Sequence, residues 1–301
     1  MTAAARLLAA GRPPLLRDDT ARRFLDLLAT GEFDPAGLFV ARGAGGAVRG
    51  AVLAQLLPGA LGILFPPRTV PGGRDVDALF AAAFSWLRGR GVKVCQSFAP
   101  GGDRSDELLL ARGGFRHVTA VVHLRRELDA ARARQAIDPA ACPLAFDPYT
   151  PDDFPAFAAA LLASHDGSLD CPELTGTRTP AELVEGYCGQ ADVLNNRWFL
   201  ARDAGEPVGV VMLDVGAEPE SVELSYLGLV PAARGRRWGH WLVRFAARMA
   251  AAEDARLLTL SADARNEPAR RLYARHGFTE VDRREVYLWD DGEAPAVEGA
   301  G

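Results

Sequence analysis

Between Leu224 and Leu229 an apolar, strand-forming run leads to Pro231. The chain then passes through Arg234-Gly-Arg-Arg-Trp-Gly239 into a helical pattern that lasts to Ala252. A strand feeding a helix through such a turn can aim the backbone N–H groups of Arg234, Gly235, Arg236, Arg237, Trp238 and Gly239 at one point. The positive end of the helix adds to their field, and the point suits a pyrophosphate. The guanidinium groups of Arg234, Arg236 and Arg237 supply charge-assisted donors beside it. Tyr273 is a phenol able to give a proton, and Glu223 a carboxylate able to take one. In the alternation Val222-Glu-Leu-Ser-Tyr-Leu, Glu223 is expected to share a face with Ser225 and Leu227, with Leu224 and Tyr226 on the other. Asn266, before Glu267-Pro268, reads as a helix N-cap.

The elements that must hold these groups come from the wider pattern. The chain has 301 residues, 49% hydrophobic and 24% charged, enough for about two domains with real cores. A net charge of −5 argues against nucleic-acid binding through a basic field. Cys95, Cys142, Cys171 and Cys188 have no CxxC spacing, so neither a zinc site nor a redox pair is expected. The apolar start, Met1–Leu16, is broken by Arg6, Arg12 and a Pro pair and is too short to span a membrane. A cytoplasmic protein with no membrane or nucleic-acid partner is the expectation. The stretch 291–301 reads as a disordered acidic tail.

The same domain is written twice. Leu38-Phe-Val-Ala-Arg-Gly resembles Trp198-Phe-Leu-Ala-Arg-Asp, each opening a hairpin. Ala111-Arg-Gly-Gly-Phe115 resembles Ala274-Arg-His-Gly-Phe278. Between these landmarks each half has a helix then a strand: Asp75–Arg88 and Val92–Phe98, Trp238–Ala252 and Arg256–Ser261. Each half opens with helices: Thr20–Leu28 in the first, Pro151–Ala163 and Pro180–Cys188 in the second. The order is kept, which favours duplication over chance matching. Domains are expected at 1–135 and 143–290, joined by a linker around Ala130–Pro143. Mixed order argues for an α/β (α+β) architecture.

Three segments give the second half its likeness to a known family. They are the Trp198–Leu213 hairpin, the strand and turn Glu223–Gly239, and Asn266-Glu-Pro-Ala-Arg-Arg-Leu-Tyr273-Ala-Arg-His-Gly-Phe278. Together they resemble the GNAT (GCN5-related) N-acetyltransferases, whose turn reads Arg/Gln-x-x-Gly-x-Gly/Ala and whose later motif reads Asn-x-x-Ala-x-x-Leu-Tyr-x-x-x-Gly-Phe. The twin layout is also similar to mycothiol synthases. The resemblance implies two tandem GNAT-like domains, each a central mixed sheet with helices on both faces, splayed between the fourth and fifth strands. It implies acetyl-CoA in the splay as cosubstrate, with no metal, and acetyl transfer to a primary amine. Leu229 and Val230 would serve the thioester carbonyl and pantetheine, residues 234–239 the pyrophosphate, and Asn266 the pantetheine arm. Tyr273 would be the general acid and Glu223 the general base. Arg237 stands where the family has its first Gly, and a negative φ there is expected if the turn is still to present its amides.

On the same alignment the first half is a degenerate copy. Leu110 lies opposite Tyr273, Asp103 opposite Asn266, Pro58 near Glu223, and Arg68-Thr-Val-Pro-Gly-Gly73 opposite the phosphate turn. Leu cannot give a proton and Pro71 has no N–H. In the polar loop Ser164–Pro180, Asp166, Asp170 and Glu173 are expected to hold a cationic amine, from a small-molecule or peptide acceptor. The alternatives are a non-catalytic acyl-CoA-binding sensor or scaffold, and a purely structural pair. His240 and His276 are expected to be structural. The oligomeric state stays open.

Overall fold

One series of elements occurs twice in the computed structural model, which describes residues 1–102, 104–129, 141–174, 176–188 and 197–290. These form two compact units. The first is Met1–Val118 with the chain from Glu285; the second is Thr119–Arg284.

In the first unit, α1 (Thr2–Leu8) and α2 (Arg17–Thr30) precede a hairpin of β1 (Leu38–Arg42) and β2 (Val48–Leu57). Then come β3 (Leu61–Thr69), α3 (Val76–Arg88), β4 (Val94–Pro100), α4 (Arg104–Arg112) and the start of β5 (Arg116–Glu127). Strand alternation sorts β2 between two cores. Ala51 and Leu53 face Ala5, Leu8, Phe24 and Leu28 of α1 and α2. Val52 and Ala54 join the core of Leu79, Phe80, Ala83 and Leu87 of α3. Helices therefore cover both faces.

The second unit repeats this plan. β6 (Leu144–Pro148), α5 (Phe154–His165) and α6 (Pro180–Cys188) precede the hairpin of β7 (Trp198–Asp203) and β8 (Glu206–Val215). β9 (Ser221–Leu229), α7 (Gly239–Ala252), β10 (Leu257–Asp263), α8 (Glu267–Arg275) and β11 (Thr279–Asp290) follow. On α7, Leu242, Val243, Phe245, Ala246 and Ala250 form one apolar stripe against Val211, Leu213, Leu224 and Leu258. On the opposite face, Phe157 and Leu161 of α5 pack on Leu200, Val210 and Met212. Each fully buried Leu or Phe contributes roughly 1.5–3 kcal/mol of hydrophobic stabilisation.

The last strand of each repeat is shared out unevenly. β5 pairs antiparallel with β10 from Glu127↔Leu257 to Val121↔Asp263, so it closes the second unit's order β6-β7-β8-β9-β10-β5. The first unit's order is β1-β2-β3-β4 with β11 beside β4. The compact units therefore differ from the linear repeats 1–135 and 143–290. Most of the linker reading (130–140) and the tail at 291–301 fall outside the described residues. So does Asp103. Among the described residues no helix is long and apolar enough to cross a membrane.

Each unit has one parallel strand pair that is short. β9 and β10 pair only at Ser221↔Leu257, Val222↔Leu258 and Glu223↔Thr259. β3 and β4 pair only at Leu61↔Val94, Gly62↔Cys95 and Ile63↔Gln96. Beyond those residues the strands part, although β9 stays paired to β8 as far as Gly209↔Leu229.

Candidate active site

A β-bulge sets the geometry of β9. Its register with β8 shifts between Met212 and Leu213, so that Met212 faces Tyr226 while Leu213 faces Leu224, and Ser225 is the extra residue. The alternation inverts there. Val222 and Leu224 join the α7 core, whereas Tyr226 packs with the α5 core and Leu227 and Leu229 return to the α7 side. The expected grouping of Leu224 with Tyr226 is thus corrected. By alternation Glu223 shares the α5 face with Tyr226. Glu223 is half-buried at the last paired position before the strands part, directly across from Asp214. Burial, then the Asp214 charge, raises its carboxyl above the ordinary range.

After Leu229 the chain makes a short turn at Pro231–Ala233 and enters α7 with no side-chain cap. Val230 N–H is engaged by Val208 O and Arg234 N–H by Pro231 O. The Arg234 guanidinium reaches Leu229 O at 3.1 Å and Ser164 O at 2.9 Å. Arg234 therefore braces the end of β9 against the end of α5. The N–H groups of Gly235, Arg236, Arg237, Trp238 and Gly239 have no acceptor among the described residues. Five consecutive amides at a helix N-terminus make a ready anion site. Arg236 lies over the Trp238 ring at 4.8 Å and within 3.8 Å of Asp203, while Arg237 is exposed. Trp238 itself is buried at the head of α7.

Arg237 has φ +64, and Gly235 φ +78. The expected negative φ is corrected: the turn keeps the left-handed conformation that a Gly would take, just ahead of the buried Trp238. An L side chain there costs about 1–2 kcal/mol. Arg237→Gly is expected to raise stability by about 1 kcal/mol. A urea titration checks this, and a lower midpoint would contradict it.

Across the opening, Tyr273 of α8 is buried with its ring 5.7 Å from Phe278. Its hydroxyl has no hydrogen-bond partner among the described residues. Burial, with Asp170 and Tyr226 nearby, pushes the phenol well above its ordinary range, so it stays protonated. Asn266 caps α8 through Ala269 N–H at 3.2 Å, and its side chain also hydrogen-bonds Asp170. The N-cap reading of Asn266 is the one the geometry displays.

The loop after α5 is tied to the end of β10. Asp170 accepts from Asp263 N–H at 2.8 Å, and Asp263 accepts from Cys171 N–H at 3.0 Å and Thr119 Oγ1 at 2.6 Å. Glu173 makes a two-pronged pair with Arg265 at 2.6 and 2.8 Å. Glu173 is thus engaged by Arg265, as Asp170 is by Asp263 N–H, while Asp166 is exposed. Asp263 is the member of this knot that sequence reasoning missed. His240 Nδ1 and His276 Nε2 meet at 2.9 Å, and burial together with the neighbouring His240 lowers His276 to about 4. No group of three or more His, Cys, Asp or Glu that could hold a metal occurs among the described residues.

Residues 166–278, which include the turn, Tyr273 and the Asp170 loop, match a family model described as the acetyltransferase (GNAT) family. That match lies within the second unit. No curated protein matches the chain. Among solved structures, it is similar to a GCN5-related N-acetyltransferase from Sphaerobacter thermophilus (TM-score 0.64, 18% identity, 96% of this chain and 92% of that one). It is also similar to a tandem GNAT protein from the clavulanic acid biosynthesis pathway (TM-score 0.52, 19% identity, 88% and 87%). A GCN5-related glucosamine N-acetyltransferase region of a fungal multi-domain GH3 beta-N-acetylglucosaminidase is a third (TM-score 0.60, 16% identity), matched over 83% of this chain but 32% of that one. At these identities the likeness establishes the fold: tandem GNAT-like domains, each a mixed sheet between helices.

Compared with the second unit, the first has its parted strands bridged by side chains. β3 runs through Pro66 and Pro67 to Thr69, where it still pairs with Gly50, so no phosphate turn forms at the matching place. Ser97 Oγ donates to Leu64 O at 2.8 Å, bridging β4 to β3 beyond their last paired residues. Arg68 and Asp106 form a two-pronged ion pair at 2.5 and 2.8 Å, with side chains 17% and 4% exposed. Leu110, opposite Tyr273, is fully buried.

Proposed function

We propose that the second unit is an acetyl-CoA-dependent N-acetyltransferase acting on a primary amine, and that the first unit has lost this chemistry. The observation that carries the reading is the run of five amides at the head of α7 with no acceptor among the described residues, beside strands that part after Glu223 and Thr259. That cradle fits the pyrophosphate of acetyl-CoA, which supplies the activated acyl group when bound.

The residues then divide the work. Amides from Gly235 to Gly239 hold the phosphates, and the free edge of β9 up to Leu229 and Val230 lines the pantetheine path. The acceptor nitrogen attacks the acyl carbon while its proton passes to Glu223, directly or through water. The carbon–sulfur bond breaks, and the departing sulfur takes the Tyr273 proton. Developing charge on the carbonyl oxygen is met by backbone N–H groups in this opened part of β9.

Calorimetric titration with acetyl-CoA is expected to give one site per chain. Two sites would assign binding to the first unit as well, and none would remove the cofactor reading. Free thiol release on adding an amine separates an enzyme from an acyl-CoA sensor.

The pH profile tests Glu223. A base must be deprotonated, so kcat/KM should fall as pH drops through the raised carboxyl pKa. Glu223→Gln should lower the rate by roughly 100-fold and abolish that acid limb. An unchanged limb in the variant would assign it to another group.

A further inference from the structure

The face of the second unit that carries Tyr226 holds a set of groups that the acyl chemistry does not use. Three rings from three elements meet there. His165, at the end of α5, lies over Tyr226 with centroids 5.3 Å apart. Tyr187 of α6 meets Tyr226 edge-on at 4.9 Å and His165 at 5.7 Å. Tyr226 Oη is 2.8 Å from Ser164 Oγ, which fixes the ring.

Two opposite charges lie near these rings. Arg178, in the loop before α6, is half-buried, and its Nε is fully buried without a partner. Arg178 makes no hydrogen bond or ion pair with any described residue. Glu182 adds a favourable field, but its carboxylate accepts the Thr179 N–H at 2.7 Å. Burial lowers the Arg178 pKa, as it must for a cation without a counter-ion. His165 Nε2 is a second buried atom without a partner, and burial lowers that imidazole to about 4, so the ring is neutral. Asp170, exposed and already accepting the Asp263 N–H, lies near the same rings. Tyr187 feels both charges, Arg178 and Asp170. Tyr226 and Tyr273 also feel Asp170, which puts this end of the set beside the acyl-transfer groups.

A half-buried guanidinium whose Nε is desolvated, with no partner among the described residues, is costly to keep, and its planar fork matches a carboxylate. A cation and an anion near one aromatic surface match a zwitterion with an apolar body. We propose that the acceptor is an amine bearing its own carboxylate, an amino-acid-like zwitterion. The carboxylate sits on Arg178, the apolar side chain lies against Tyr187, Tyr226 and His165, and the nitrogen points toward Asp170 and the acyl carbon. This rests on the acetyltransferase reading of the second unit.

The test pairs each acid with its decarboxylated amine: phenylalanine with phenethylamine, tyrosine with tyramine, leucine with isoamylamine. Thiol release from acetyl-CoA is followed with the full chain. At least one acid should be preferred over its amine by on the order of 100-fold in kcat/KM. Arg178→Met should erase that preference through KM, leave acetyl-CoA binding by calorimetry unchanged, and raise the thermal midpoint, because a half-buried cation with no partner among the described residues is removed. A purely structural Arg178 would lower the midpoint instead. Equal use of acid and amine, preference for the amines, or no use of any pair by a protein that binds acetyl-CoA overturns the proposal. Failure to bind acetyl-CoA overturns the acetyltransferase reading itself.

Discussion

Tyr273→Phe lowers kcat by on the order of 100-fold or more while acetyl-CoA affinity holds. The buried ring packs on Phe278 at 5.7 Å, and phenylalanine keeps that packing. What is lost is a hydroxyl with no protein partner among the described residues, beside Asp170 and Tyr226. Burial raises the phenol, so it stays protonated throughout the working range and contributes no alkaline limb near neutral pH. Its value is as a donor to sulfur as the carbon–sulfur bond breaks, an interaction absent from the ground state, so kcat moves and binding does not. Steady-state thiol release with parallel calorimetry reads both quantities. Turnover equal to that of the parent protein would take Tyr273 out of the mechanism.

Asp106→Ala destabilises the first unit by about 3–5 kcal/mol. The Asp106 side chain is 4% exposed and holds Arg68 through two contacts. Removing the carboxylate leaves a buried guanidinium without its partner, a far larger penalty than the pair's own net worth. The double substitution Arg68→Met with Asp106→Leu removes both charges and should regain most of the loss. Urea unfolding followed by the fluorescence of Trp86 and Trp289, which lie in or against that unit's core, reads the transition. A single variant as stable as the parent would mean that the ion pair is not buried as its geometry indicates.

Much of this was readable along the chain because it is local. The helix Trp238–Ala252 was expected and α7 runs from Gly239 to Ala252 with Trp238 as its N-cap. The hairpins at Leu38 and Trp198 and the helix Pro180–Cys188 follow the same way from turn residues and apolar period. The duplication was visible because each repeat keeps its own punctuation. Period counting failed at Ser225, because a bulge is decided by pairing with β8, and strict alternation then assigns Tyr226 to the wrong core. At Arg237 the left-handed φ departs from what a non-glycine residue prefers, since a residue type states a preference and not a conformation.

The sequence by itself determined the order of elements, the doubled plan and the turn that exposes amides, since each depends on residues near one another in the chain. Only the tertiary structure decided which strand closes which sheet and what bridges the first unit's parted strands. It alone tied Asp170 and Cys171 to Asp263, and brought His165, Arg178, Tyr187 and Tyr226 together. Those groups come from separate elements, and their contacts depend on packing between elements. No spacing along the chain encodes that distance.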